Sequence, residues 1–369
     1  MFKSPVFKFF DFLLGIPLIH DVLFGVYRMQ IVEKSEKMVR SGPVLFFPPS
    51  RYTLFCTLQK LLYYTEPITT LADSILPSSH YLFLYKKGLP WKAFMEEQWD
   101  QINELKERAA DMENPDVTIP DYYYAPIHAY KDGNLCWDSA MEEDLWSKLM
   151  IAPLYNNALD GDVQMRQEWL SITEKAIKPN PKMATDLGCG TGLSMYMLDS
   201  KFPSMEHIQG VDLSTFKLAV CEDKKTMMPP TKGSKYSIRQ EAAEATTIAS
   251  ESQDLASLCL VAHESPRAVS KAIFDEAYRI LKPGGSFTML DLDKENLEIL
   301  LENPFVAAIY KRTEPYMPEF LTLDPMSDLA EAGFTVTSVG QASKSHRVYV
   351  AQKPERSAVE AKLAEQGLL

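Results

Sequence analysis

The run Ala184-Thr185-Asp186-Leu187-Gly188-Cys189-Gly190-Thr191-Gly192-Leu193 constrains the fold more than any other stretch of the chain, because it sets an acid and three alternating glycines at a strand-to-helix turn. Met183 to Leu187 reads as a short buried strand, and Leu193, Tyr196, Met197 and Leu198 recur at helical spacing beyond the turn. Glycine at such a bend lets backbone approach a ligand closely. The dinucleotide fingerprint G-x-G-x-x-G has two residues between its second and third glycines, whereas here the alternation is strict.

A pyrophosphate is suited to helix-terminal amides with no acid beside it, but a ligand carrying an ammonium and a sulfonium calls for a carboxylate such as Asp186. That favours S-adenosylmethionine over NAD. At the end of the next strand, Gly210-Val211-Asp212-Leu213-Ser214 sets a second acid twenty residues after Gly192, placed to accept ribose hydroxyls. On these residues the chain resembles the class I S-adenosylmethionine-dependent methyltransferases. Further landmarks are a fourth strand at Leu255–Val261, a helix at Ala272–Leu281, the turn Leu281-Lys282-Pro283-Gly284-Gly285 into a fifth strand ending at Asp291, and a closing hairpin of Thr335–Val339 with His346–Ala351.

The resemblance covers roughly the C-terminal half and implies an α/β fold, a Rossmann-like doubly wound seven-stranded sheet with an antiparallel C-terminal hairpin. It implies S-adenosyl-L-methionine as cofactor, held by Asp186, Gly188, Cys189, Gly190, Gly192, Asp212, Leu213, Ala243 and Glu244. One position departs from the family. Where an Asp commonly meets the adenine amino group before an Ala-Glu pair, this chain has Ala242, so the amides of Ala243 and Glu244, or the Glu244 side chain, are left to read the ring.

A net charge of -12 argues against a phosphate-backbone partner, so nucleic acid is not an expected substrate. The five cysteines, Cys56, Cys136, Cys189, Cys221 and Cys259, show no C-x-x-C spacing, which indicates neither a disulfide framework nor a metal site. No metal is expected, and a reducing, cytoplasmic location is, with an organelle left open. The apolar opening through Tyr27 is interrupted by Asp11, Pro17, His20 and Asp21 and carries no small-residue cleavage pattern, so it reads as a retained helix pair that does not span a membrane. Contact with a membrane surface through this segment is the alternative.

The expected organisation is a mainly helical N-terminal accessory and substrate-capping domain over 1–119, an aromatic lid and linker over 120–150, the methyltransferase domain over 151–354 and a tail over 355–369. Trp91 to Met112 reads as a charged amphipathic helix within the first of these. The aromatic block from Pro120 to Trp137 precedes the catalytic half, where aromatic groups can exclude water and meet a sulfonium. Its lid candidates are Tyr123, Tyr124, His128, Tyr130 and Trp137, each of which could equally cement the accessory segment onto the sheet.

In an open α/β sheet ligands sit beyond the carboxyl ends of the strands, which nominates His263, Glu264 and Asp291. His263 is the candidate catalytic base for a hydroxyl acceptor, with a buried structural histidine as the competing account. Glu264 and Asp291 attract a cationic substrate or cap helices. Arg312 and Glu314 are candidates to orient the substrate, although solvated charge explains such runs more often. The function so read is methyl transfer to a small-molecule acceptor through oxygen or thioether sulfur. A lipid or quinone-like acceptor at a membrane surface, and a non-catalytic S-adenosylmethionine-binding subunit, are the alternatives, with acceptor identity and oligomeric state left open.

Overall fold

The computed structural model describes residues 99–128, 130–302, 307, 310 and 313–357. The accessory domain up to residue 98, its N-terminal helix pair, Arg312 and the tail beyond residue 357 lie outside the described residues. Those described divide into two compact units. Residues 294–302 and 307 belong to one, which contributes the helix Lys294–Leu301.

The other unit holds everything else. In chain order it comprises α1 (Ile102–Met112), α2 (Trp137–Ile151), α3 (Gly161–Ala176), β1 (Met183–Leu187), α4 (Leu193–Lys201), β2 (His207–Asp212), α5 (Thr215–Thr226), α6 (Pro230–Gly233), β3 (Tyr236–Gln240), β4 (Gln253–Cys259), α7 (Arg267–Ile280), β5 (Leu281–Leu292), α8 (Met317–Thr322), α9 (Pro325–Glu331), β6 (Thr335–Ser343) and β7 (His346–Gln352). The seven strands run in the order β3-β2-β1-β4-β5-β7-β6. The first five are mutually parallel, and β7 is antiparallel to both β5 and β6. This is the doubly wound sheet with its closing hairpin.

Ala184 to Leu187 are all buried, as a central parallel strand covered on both faces must be. Met165, Trp169 and Leu170 of α3 pack with Met195 and Leu198 of α4 over Ile208, Leu255, Val348 and Val350. The indole of Trp169 is fully enclosed, and its N–H donates to Thr288 Oγ1 at 2.8 Å, which satisfies the one polar atom it carries into the core. The register Asp186↔Gly210 and Leu187↔Val211 sets Asp186 and Asp212 at neighbouring strand ends.

Three local features differ from the sequence reading. The fourth strand stops at Cys259, because Leu260 turns into the left-handed region at φ 59° and the chain leaves the sheet. Helix α7 begins at Arg267, since Pro266 presets its entry and the buried stripe Ser270, Ile273, Phe274, Ala277 and Ile280 opens on a serine that conceals its period. The segment 281–285 pairs as part of β5, with a register irregularity between Gln253 and Leu255 that absorbs Gly284 at φ 76°. Helix α1, read as part of the accessory segment, packs in the sheet unit through Leu105 against Ala140 and Val220, and Arg108 pairs with Asp223 at 3.4 Å. Among the described residues no helix is long and apolar enough to cross a membrane.

Candidate active site

The glycine bend lies between β1 and α4. Gly188, Gly190 and Gly192 have φ of 70°, 51° and 84°, a conformation that side chains rarely adopt. Space forbids side chains too: a Cβ on Gly188 would lie 2.7 Å from Val261 Cγ2, and one on Gly190 would lie 2.6 Å from Glu143 Oε1. The bend is tied to β2, since the amides of Gly188 and Cys189 both donate to Val211 O at 2.9 Å and that of Gly190 donates to Asp212 Oδ2 at 3.0 Å. The Cys189 thiol is buried against β2, where a Cβ on Gly210 would come within 2.8 Å of it.

Asp186 is almost wholly enclosed, and burial pushes its carboxyl up to about 7 against the opposing pull of Ser257 and Arg166. Its Oδ1 accepts from Ser257 Oγ at 2.6 Å, while its Oδ2 is buried with no partner. This oxygen is free to accept from a ligand's donor group. A glycine cradle and an orphaned carboxylate oxygen fit the donor inferred from the sequence.

Helix α2 holds the bend from the other side, a contribution that no sequence motif announces. Thr191 N–H and Oγ1 donate to Glu143 Oε1 at 3.1 and 3.0 Å, and Thr191 Oγ1 also reaches Asp144 Oδ1 at 2.9 Å. Lys217 and Lys224 of α5 pair with the same two acids at 2.9 and 2.7 Å. Burial alone would lower the Lys217 ammonium, but Glu143, Glu264 and Asp212 raise it above the ordinary lysine range.

The aromatic block separates into two parts. Tyr123 Oη donates to Asp212 Oδ1 at 2.8 Å, and Tyr122, absent from the lid candidates, donates to Glu244 Oε1 at 2.8 Å. Glu244 Oε2 is buried without a partner beside the Ala242–Ala245 turn, in which Ala243 is buried. Leu213 contributes its carbonyl to Gln240 Nε2 at 3.0 Å. Three further lid candidates make other contacts. Tyr124 is 57% exposed; Tyr130 donates to Glu142 Oε2 at 2.6 Å and accepts from Trp146; Trp137 packs edge-on against Phe216 at 5.0 Å. Trp137 takes its position from the packing of α2 on α5.

Beyond the carboxyl ends of β4 and β5, five titratable side chains converge from four segments. His263 Nδ1 lies 2.6 Å from Asp291 Oδ1, and Asp291 is fixed by the amides of Ala262 at 2.9 Å and Leu292 at 2.7 Å. His128 adopts φ 52° and anchors its amide on Thr313 O at 2.8 Å. Its Nε2 stands 3.3 Å from both Glu264 Oε1 and Glu314 Oε1. Glu264 Oε2 accepts from Asn134 Nδ2 at 3.1 Å, whereas Glu314 Oε2 is buried without a partner.

Burial works against charge on both imidazoles, yet the carboxylates prevail. Asp291, Glu264 and Glu314 raise His263 to about 10, and Glu314 with Glu264 raises His128 above its ordinary value. These carboxylates favour the protonated His263 ring, which opposes a role as general base. No metal-ligand spacing is visible in the chain, yet the fold gathers one ligand atom each of His128, His263 and Glu314 within 4.8 Å of one another.

Residues 184–285 match the family model described as a methyltransferase domain. No curated protein matches the chain. Among solved structures, geranyl diphosphate methyltransferase in complex with GPP and sinefungin is similar at 12% identity over 55% of this chain and 81% of that one, with a TM-score of 0.43. An S-adenosylmethionine-dependent methyltransferase from Methanosarcina mazei is similar at 19% identity over 50% and 97%, with a TM-score of 0.39. The methyltransferase domain of bacterial CtHen1 gives 21% identity over 51% and 97%, with a TM-score of 0.41. The matched methyltransferase-domain segment contains the glycine bend and both acidic strand ends and lies within the sheet of order β3-β2-β1-β4-β5-β7-β6, the fold that the resemblance in the sequence implies.

Proposed function

We propose that this methyltransferase acts on an oxygen atom of a small polar acceptor. S-adenosylmethionine, when bound, supplies a methyl carbon activated by its sulfonium. Asp186 pairs with the donor's ammonium through its unpartnered Oδ2, Asp212 accepts the ribose hydroxyls, and the free oxygen of Glu244 accepts from the adenine amino group.

The observation that carries the acceptor reading is the convergence of His128, His263, Glu264 and Glu314 next to the glycine bend, where Val261 lines Gly188 and leads directly into His263. Ligands in doubly wound sheets bind beyond these strand ends. A hydroxyl both donates and accepts, so it matches a cluster of carboxylates and imidazoles; a thioether or an apolar ring would leave these groups desolvated and unpaired. Asp291 fixes the His263 ring, so that Nε2 faces the cluster 3.9 Å from Glu264 Oε1. Glu264, steadied by Asn134, would take the acceptor's proton as the C–O bond forms and the donor's S–CH3 bond breaks, the electron pair staying on the sulfur of the departing S-adenosylhomocysteine.

Incubation with donor labelled at its methyl group and a panel of phenols, hydroxy acids, thioethers and quinols tests this reading. Label is expected in a hydroxylic compound as an ether or ester methyl. Label confined to thioethers or to apolar quinols overturns it.

A further inference from the structure

We infer that His128, His263 and Glu314 bind a divalent transition-metal ion, and that the acceptor oxygen joins it as a further ligand. The inference rests on the acceptor-site reading above and states how that site holds its substrate.

Spacing is the first argument. Two ligand bonds of about 2.1 Å at a tetrahedral angle set their donor atoms about 3.4 Å apart, and His128 Nε2 stands 3.3 Å from Glu314 Oε1. A charge-assisted hydrogen bond would draw such a pair to about 2.7–2.9 Å, as it does in the same cluster between His263 Nδ1 and Asp291 at 2.6 Å. The two kinds of histidine–carboxylate pair thus differ in length within one site. One closes as a short hydrogen bond, whereas His128 Nε2 faces two carboxylate oxygens, Glu314 Oε1 and Glu264 Oε1, both at 3.3 Å, a spacing that also accommodates an ion between His128 and Glu314.

Support behind the ligands is the second argument. A metal-bound imidazole ordinarily gives its other nitrogen to a carboxylate or carbonyl, which fixes the ring. Asp291 does this for His263, and two backbone amides hold Asp291 in turn. Glu314, only 7% exposed, keeps Oε2 buried and without a partner, a cost that a cation beside this carboxylate removes.

Charge and access agree. Asp291, Glu264 and Glu314 gather three carboxyl groups around the two imidazoles, a surplus of acids that suits a cation. His128, whose side chain is 34% exposed, gives the ion a route from solvent. Two nitrogens and one carboxylate suit Mn2+, Fe2+, Co2+ or Zn2+, whereas Mg2+ and Ca2+ favour oxygen donors throughout. Three protein ligands leave positions for an acceptor hydroxyl, whose O–H bond the cation weakens; the proton passes to Glu264 and the electron pair stays on oxygen.

Full-length protein stripped with chelator and titrated with Co2+ gives a readout that needs no substrate. About one equivalent is expected, with a visible absorption band of low-symmetry coordination and a competing Zn2+ titration that removes it. Glu314→Gln is expected to weaken Co2+ binding at least tenfold, and Asp291→Asn by about ten- to a hundredfold. Should Glu314→Gln not fold, His128→Asn serves instead, since asparagine tolerates the left-handed backbone at this position. S-adenosylhomocysteine affinity, measured in the same samples, keeps the two readings apart. Intact affinity with no Co2+ site, or with Co2+ binding indifferent to these substitutions, overturns the metal; loss of S-adenosylhomocysteine binding in the unmodified protein overturns the donor reading on which the acceptor site depends.

Discussion

The proposed donor and acceptor sides of the site are built in opposite ways. On the donor side, Asp186, the three glycines and Asp212 come from one strand-turn-helix-strand stretch, and backbone geometry does most of the work through positive φ angles and the register of β1 on β2. On the acceptor side, His128, His263 with Glu264, Asp291 and Glu314 come from four separate segments, and side-chain pairing holds them. The difference teaches that a site for a common cofactor can be a local property of the chain, while a site for a particular acceptor is a property of the finished fold.

The largest expected effect sharpens that division. His263→Ala removes the imidazole that Asp291 positions, so turnover is expected to fall at least a hundredfold while S-adenosylhomocysteine affinity stays within threefold. Steady-state rates with calorimetric titration read both, and equal losses in the two would break the separation. Asp186→Asn is the reciprocal change. Losing a charge-assisted partner for the ammonium is expected to weaken S-adenosylhomocysteine binding by about ten- to a hundredfold, with Co2+ binding unaltered.

The pH response belongs to the donor side and has a definite sign. The Asp186 carboxyl has an ordinary value of 3.8 and titrates at about 7 when folded, so between these values the folded protein holds a proton that the unfolded chain has released. Its contribution to stability without ligand therefore declines as pH rises through this window. The ammonium needs the ionised form. Affinity for S-adenosylhomocysteine is expected to increase about tenfold from pH 6 to pH 8, and Asp186→Asn is expected to abolish this increase.

Smaller effects test the aromatic block. Tyr123→Phe frees Asp212 Oδ1 of its phenol, and donor binding is expected to tighten severalfold in a titration. Tyr124→Ala, at an exposed position, is expected to change turnover and affinity by less than twofold; a larger loss would show that the segment closes further over the cleft.

Much of this fold is legible in the chain because the signals are local: glycines that backbone conformation demands, acids at two strand tips, and apolar runs of strand length. The acceptor side is less so. Glu264 and Asp291 are visible as residues beyond strand ends, but their partnership with His128 and Glu314 depends on a turn at 128 held by Thr313, a contact that spans most of the unit. Glu143 and Asp144 look like ordinary helix charges, and only the packing of α2 reveals that they hold Thr191. Trp137 packs on Phe216 and Tyr130 bonds Glu142, contacts in line with the packing role that the sequence offered beside the lid role.

The bond from Tyr123 to Asp212 has a consequence for the sequence of events in a catalytic cycle. If Asp212 holds the ribose as proposed, ribose and phenol compete for one oxygen atom and the nucleoside displaces the tyrosine, and His128 lies only five residues further along the same segment. On the proposed assignment, occupancy by the donor would register at the acceptor cluster, a mechanical reason to load the methyl source first and the substrate second.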